Sequence, residues 1–216
     1  VAHHATTLAS STLTRRLVAI ARAHAAQGIE SPTNTELVKA TVQGGRRSRG
    51  SLIRQVAPLQ KVQVLRMVCG LHGLHGLRDT ALLLIGFASA LRRSELVSLN
   101  VEDVQFTGEG TIIRLRRCKT DQEGRGRDIA IPCIRGRYCP TKSLQVWIEA
   151  SGIVEGALFR RINRYNQLLP HRLTAQSVAL IIKQRATLAG FDPALFSGHS
   201  LRAGFVTNAA KGGASS

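Results

Sequence analysis

From Thr14 to Gln27 the apolar residues Leu17, Val18, Ile20 and Ala21 recur at helical spacing, and Gly28 stands where a left-handed residue closes a helix. A second, shorter helix is predicted over Thr35–Gln43, opened by Asn34 as N-cap and stopped by Gly44-Gly45. These two helices alone offer too little apolar surface to bury a core. Beyond them, helices are predicted over Lys61–Cys69 and Asp79–Leu99, the second with Leu82, Leu83, Ile85, Gly86 and Leu91 on a wide apolar face that belongs in a core. The spacing then changes from helical to alternating. Asp103–Phe106, Thr111–Arg117 and Arg127–Pro132, separated by the turn Thr107–Gly110 and the polar loop Thr120–Gly126, read as a three-stranded antiparallel meander, with alternation at Ile113/Leu115 and Ile129/Ile131. Helical spacing resumes at Pro140–Ala150, at Thr174–Ala189 before Gly190, and at Ser200–Lys211. The fold class is mainly α with a small three-stranded antiparallel β-sheet (α+β).

The stretch Gly44–Ser51 combines glycine and serine with Arg46, Arg47 and Arg49, the composition of a linker lying against something anionic. The domain boundary is placed there, giving a partial helical unit at 1–50 and a larger domain at 51–216. A chain of 216 residues with 44% hydrophobic content has enough apolar material for a buried core. The formal net charge of +17 makes a polyanion the default partner, and it is spread over both parts, +6 for residues 1–55 and +11 for the rest. Nucleic acid leads among polyanions. The longest apolar run, Ala81 to Leu91, is too short to span a bilayer, so no membrane partner is predicted. Cys69, Cys118, Cys133 and Cys139 lack paired metal-ligand spacing and read as cytosolic thiols, with no metal and no cofactor implied.

Three groups of residues offer chemistry. Arg92 and Glu95 stand three apart in a predicted helix, where a carboxylate can orient a guanidinium and leave its other donors for a phosphate; the same pair also fits a surface ion pair. Arg93 points away and reads as a solvated or DNA-backbone charge. His199 and Arg202 stand three apart at the start of another helix, whose free N–H groups favour a phosphate, although a capping histidine beside an unrelated arginine is the commoner meaning of such a pair taken alone. Gly198, Ala203 and Gly204 would admit a close backbone or ligand. Lys119 ends the second strand, either as a solvated hairpin tip or as an ammonium able to protonate a leaving oxygen in a DNA groove. Arg114, Arg116 and Arg117 on that strand favour a DNA-facing hairpin, or simply blunt a sheet edge.

In combination and in this order, Gly86-Phe87-Ala88-Ser89-Ala90-Leu91-Arg92-Arg93-Ser94-Glu95-Leu96, Lys119-Thr120 and His199-Ser200-Leu201-Arg202-Ala203-Gly204 resemble the tyrosine recombinase (phage integrase) family over about residues 56 to 216. The N-terminal helices resemble the end of that family's core-binding domain. The resemblance implies that Arg92, Lys119, His199 and Arg202 form a catalytic cluster supported by Glu95; from their charge and placement, Arg46, Arg47, Arg49, Arg93, Arg116 and Arg117 are expected to touch DNA. It implies double-stranded DNA held in a C-shaped clamp, a homotetramer on two DNA sites for the full-length protein, and a prokaryotic, cytoplasmic, nucleoid-associated setting.

The family nucleophile is a tyrosine beyond the histidine–arginine motif. Here the only tyrosines, Tyr138 and Tyr165, precede His199, and fourteen residues follow Arg202. Tyr165, in the basic run Arg160–Tyr165, reads as a backbone-phosphate contact or a locally packed residue. The 216 residues alone are therefore expected to be a monomeric, inactive fragment of a recombinase that works through a 3′-phosphotyrosine. A catalytically inert DNA-binding relative using the same phosphate clamp is the alternative, and a type IB topoisomerase-like activity the third reading. A metal-dependent nuclease ranks low, since the acidic residues show no cluster suited to two metals. Nine aromatic residues are too few for a base-stacking single-strand binder.

Overall fold

The computed structural model describes residues 8–49, 57–116 and 126–211. The chain divides into two compact units, Val1–Arg54 and Gln55–Ser216. In the first, α1 (Ser10–Ala26) ends where Gly28 takes φ +68°, and a 3₁₀ turn at Pro32–Asn34, capped by the Ser31 hydroxyl accepting from the Thr33 N–H, leads into α2 (Glu36–Arg49). Asn34 thus closes the turn instead of opening the helix. The α1 helix buries none of its residues, so the first unit has no core of its own there.

The expected stop at Gly44-Gly45 does not occur, and α2 continues to Arg49. Glycine costs a helix only about 1 kcal/mol per residue. Neither glycine adopts positive φ, so nothing forces the chain out of the helix. Of the expected linker, residues 44–49 are therefore helical, and Gly50 and Ser51 lie outside the described residues.

The second unit is built around one buried helix. After α3 (Lys61–Val68), α4 (Gly73–Ala88) buries Gly76, Arg78, Asp79 and the run Ala81–Gly86, all the way round its circumference. Helix α6 (Pro140–Ser151), α7 (Ala175–Leu188) and α8 (Ser200–Lys211) belong to the same unit, and Trp147 on α6 is fully buried with its indole N–H donating to the Leu158 carbonyl at 2.9 Å. Thr174 caps α7 by accepting from the Ser177 N–H at 3.1 Å. The three-stranded meander forms in the expected order, β1 (Val104–Phe106), β2 (Gly110–Leu115) and β3 (Arg127–Pro132), with Ile113 opposite Ile129 and Thr111 opposite Ile131. Its buried side chains, Ile113, Leu115 and Ile131, join the main core.

A second, two-stranded sheet, β4 (Arg160–Ile162) and β5 (Leu168–Arg172), has no clear alternation in the sequence. Its strands are short and basic, and Pro170 lacks the N–H that a central strand needs but a two-stranded ribbon does not. Tertiary bonds hold it: Arg172 donates to the Val97 carbonyl at 2.6 Å and the Leu99 carbonyl at 2.8 Å.

The predicted helix Asp79–Leu99 is two helices. Helix α4 ends at Ala88, Ala90 takes the left-handed φ of +51°, and α5 (Arg93–Ser98) begins after Arg92 as its N-cap. A left-handed alanine cannot continue a right-handed helix. On the far side of the break Leu91, Leu96 and Leu99 all reach the core.

The glycines singled out for close approach are closely approached. A Cβ on Gly204 would lie 1.9 Å from the Leu59 carbonyl oxygen, and one on Gly198 2.6 Å from the Arg93 Cδ. Because the first neighbour is backbone, Gly204→Ala is expected to lower the unfolding free energy by about 1–3 kcal/mol, the usual cost of overpacking. Urea unfolding of the two proteins checks it; an unchanged midpoint would mean that α8 is free to shift.

Candidate functional site

The segment between α4 and α5 and the start of α8 are drawn together at Gly86. A Cβ there would meet Leu201 Cδ1 on α8 and Leu96 Cδ2 on α5, each at 3.0 Å. Glycine at this position leaves room for both leucines, and a larger residue would require them to give by a few tenths of an ångström. Next to that contact the Arg202 guanidinium donates from Nη1 to the Ala90 carbonyl at 3.0 Å, joining residues 112 apart in sequence. The left-handed turn aims this carbonyl. Among the described residues Arg202 has no other partner, so its remaining N–H donors are available to a ligand.

Two residues after Ala90, Arg92 is held by Glu95. The Glu95 carboxylate accepts from the Arg92 backbone N–H at 2.8 Å with one oxygen and from Nη1 at 2.6 Å with the other. These residues are therefore an N-cap and its third helical residue, not two positions on one face of a continuous helix. The carboxylate side chain is 6% exposed and the guanidinium 27%, so the pair is not a loose surface ion pair. A carboxylate this buried holds its arginine in one orientation, leaving the Nε and Nη2 donors of Arg92 without a partner among the described residues.

His199 is exposed at the start of α8, with its backbone N–H donating to the Ser197 hydroxyl at 3.2 Å. Ser197 in turn donates its N–H to the buried Ser200 hydroxyl at 3.0 Å, a capping turn that fixes the loop before the helix. Gly198 lies against the aliphatic stem of Arg93, so the histidine loop packs directly on the first residue of α5. The structure thus brings Arg92, Glu95, His199 and Arg202 around the segment Ala90–Arg93, with Arg93 serving there as a packing surface. Lys119 and Arg117 lie outside the described residues. Arg116 is 63% exposed, and its Nε donates to the buried Asp103 carboxylate at 2.5 Å, which anchors the end of β2. Arg46, Arg47 and Arg49 lie on α2 of the first unit, with the Arg47 side chain exposed.

The Ala90 carbonyl is the participant that residue chemistry could not announce, because a backbone oxygen carries no side-chain signature. Among the described residues, no group of three or more His, Cys, Asp and Glu is placed to hold a metal ion, and no helix is long and apolar enough to cross a membrane. Tyr165 sits in the turn between β4 and β5, 67% exposed, its hydroxyl accepting from Arg164 at 2.6 Å while that guanidinium stacks 4.7 Å above the ring. Tyr138 is half-buried, and its phenol is pushed above its ordinary pKa chiefly by a hydrogen bond with Cys69.

Two oriented arginines and a buried carboxylate thus lie at the junction of α4, α5 and α8, on a mainly helical unit with a small antiparallel meander. The chain matches the phage integrase family over residues 57–216 and belongs to it. It is 40% identical over 208 residues to the integrase/recombinase xerD homolog of Selenomonas ruminantium, covering 94% of this chain and 61% of that protein. The chain therefore spans a little over half the length of this relative. The fold is shared with the XerA recombinase (TM-score 0.55, 17% identity, 91% of this chain and 68% of that one). It is shared also with a lambda integrase dimer bound to a COC' core site (TM-score 0.51, 14% identity, 92% and 57%).

The strained turn and its carboxylate give a direct test. Glu95→Ala removes the acceptor of two donors, one charged, in a buried setting, and is expected to cost about 1–3 kcal/mol of stability. Glu95→Gln, which keeps an acceptor for the Arg92 backbone N–H, is expected to recover part of that loss. Thermal unfolding of the three proteins distinguishes this from a solvated pair, for which neither change would register.

Proposed function

We propose that the protein acts in site-specific DNA recombination, with Arg92 and Arg202 holding the non-bridging oxygens of the scissile phosphate. What carries the reading is the meeting of Arg202 with the turn that also positions Arg92. Negative charge builds on those oxygens as the phosphorus is attacked, and oriented guanidiniums stabilise it most where the charge develops. Glu95 keeps Arg92 in place. His199 hydrogen-bonds the phosphate and assists the nucleophile's proton transfer, and Lys119 protonates the departing 5′-oxygen. The broken bond is stored as a 3′-phosphotyrosine, so that religation to a new strand needs no further energy source. Tyr138 and Tyr165 are not proposed as the nucleophile, since both precede His199 in the chain and their phenols are engaged with Cys69 and Arg164, and the attacking tyrosine is proposed to lie outside these 216 residues.

Double-stranded DNA is the proposed substrate and partner, gripped by the excess of positive charge on both units, and a homotetramer on two DNA sites is the proposed working assembly. Residues 1–50 would serve as the end of a core-binding domain, carrying Arg46, Arg47 and Arg49 to the DNA backbone, and 51–216 as the catalytic domain, with Arg93, Arg116 and Arg117 as further backbone contacts. Both tyrosines of these 216 residues precede His199, which is compatible with a second reading, an inert relative that uses the same clamp to bind without cutting.

A nicked suicide substrate offered to the full-length protein separates the two. A covalent protein–DNA adduct is expected, and a folded, DNA-bound protein that forms none would favour the inert clamp. In the same assay Arg202→Ala should abolish the adduct while leaving most of the affinity, since many other cations hold the duplex. Parallel loss of both would make Arg202 an anchor only.

The charge makes its own prediction. The logarithm of the DNA association constant should fall against the logarithm of salt concentration with a slope of about −0.9 for each neutralised phosphate. A flat response in a fluorescence-anisotropy titration would remove the phosphate-binding surface.

A further inference from the structure

Between β3 and α6 the chain reads Cys133-Ile134-Arg135-Gly136-Arg137-Tyr138-Cys139, and its first and last side chains meet, with the two Sγ atoms 3.6 Å apart. Both ends are held by bonds that do not involve the sulfurs. The Cys133 N–H donates to the Glu109 carbonyl at 2.7 Å, and Cys139 is the N-cap of α6, its carbonyl accepting from the Ser143 N–H at 2.9 Å. Gly136 turns the loop with φ +113°, a conformation side chains rarely adopt. The search for one another that separated thiols must make has therefore already been completed by the fold. The two thiols also differ in access: Cys133 is exposed, while Cys139 is fully buried.

We propose that Cys133 and Cys139 are a redox-active dithiol that takes up an intramolecular disulfide by exchange with a low-molecular-weight disulfide. The exposed Cys133 sulfur attacks one sulfur of that disulfide as its proton passes to the Cys139 thiolate. A mixed disulfide forms and one thiolate leaves. Cys139 gives that proton to the departing thiolate, making the first small thiol, and attacks the Cys133 sulfur, closing the 133–139 bond and expelling the second thiolate, which takes a proton from water. Two protein thiols are oxidised and one small disulfide is reduced to two thiols, so the step needs no other oxidant. The sulfurs must close from contact to about 2.05 Å, a movement within reach of side-chain rotation and a small shift of the loop.

The electrostatics favour this division of labour. Burial pushes the Cys139 thiol up, but the backbone N–H groups of Lys142, Ile134 and Thr141 and the Cys133 thiol act against it and prevail, so that Cys139 lies below its ordinary value. These groups favour the thiolate although none closes a capping hydrogen bond on the sulfur. Cys133 is pushed up, first by its hydrogen bond with Cys139. The buried sulfur is thus the better resolving thiolate, and the exposed one is where a bulky disulfide can dock.

Oxidised glutathione added to the folded protein, followed by alkylation and peptide mass spectrometry, tests the assignment. A 133–139 crosslink is expected, forming at least about tenfold faster than in urea, as for groups already held in place. Cys139→Ser should trap one glutathione on Cys133, while Cys133→Ser should leave Cys139 unmodified. Serine is itself a good N-cap, so the first variant retains the start of α6. Crosslinks led by Cys69 or Cys118, equal rates with and without urea, or glutathione on Cys139 in Cys133→Ser would each overturn the proposal.

Discussion

The left-handed turn at Ala90 is the constraint on which the site depends. A non-glycine residue with φ +51° pays of order 1 kcal/mol for the conformation, and such strain persists only where surrounding contacts over-determine it. Here they do so from both sides. Leu91 is pulled into the core, Ser89 ties back to the Ile85 carbonyl at 2.7 Å, and Arg202 captures the Ala90 carbonyl from the far end of the chain. The same turn sets Arg92 at the start of α5, where Glu95 reaches it. One backbone conformation therefore orients two arginines that belong to different parts of the sequence.

Rigidity behind the turn comes from α4. Its Asp79 carboxylate, 1% exposed, accepts from Arg78 at 2.7 Å and from Arg185 on α7 at 2.5 Å. A buried carboxylate shared by two guanidiniums is costly to desolvate, and removing one partner would leave an unpaired charge inside the protein. The shared carboxylate ties α4 to α7 at this point. At the other end of α4, Gly86 admits both Leu96 and Leu201. The helix that carries the turn is thus set along its length before any ligand arrives.

The distribution of charge complements this arrangement. Carboxylates nearest the site and the sheet are consumed by particular arginines, Glu95 by Arg92 and Asp103 by Arg116. They orient cations more than they cancel the field, and the net charge of +17 remains to attract a polyanion. Close pairing and long-range attraction therefore coexist: the first acts over a few ångströms in a partly dry setting, the second over a screening length in water.

Much of the fold was legible because periodicity reports which side of an element is buried. The meander, α3, α6, α7 and α8 follow the pattern of apolar positions to within about two residues. The residue types at 92, 95, 199 and 202, taken with their order, identified the family and named the candidate site. What periodicity could not report is decided between distant segments: the break of Asp79–Leu99 at Ala90, the continuation of α2 through Gly44-Gly45, and the β4–β5 ribbon held by Arg172. Sequence by itself determined which charged and polar groups the candidate site contains and where the core-facing positions lay, since side-chain type and spacing are local properties. Tertiary structure alone decided that Arg202 meets the Ala90 carbonyl, that Glu95 is buried against Arg92, and that Cys133 meets Cys139, because each contact depends on a backbone path that only packing selects.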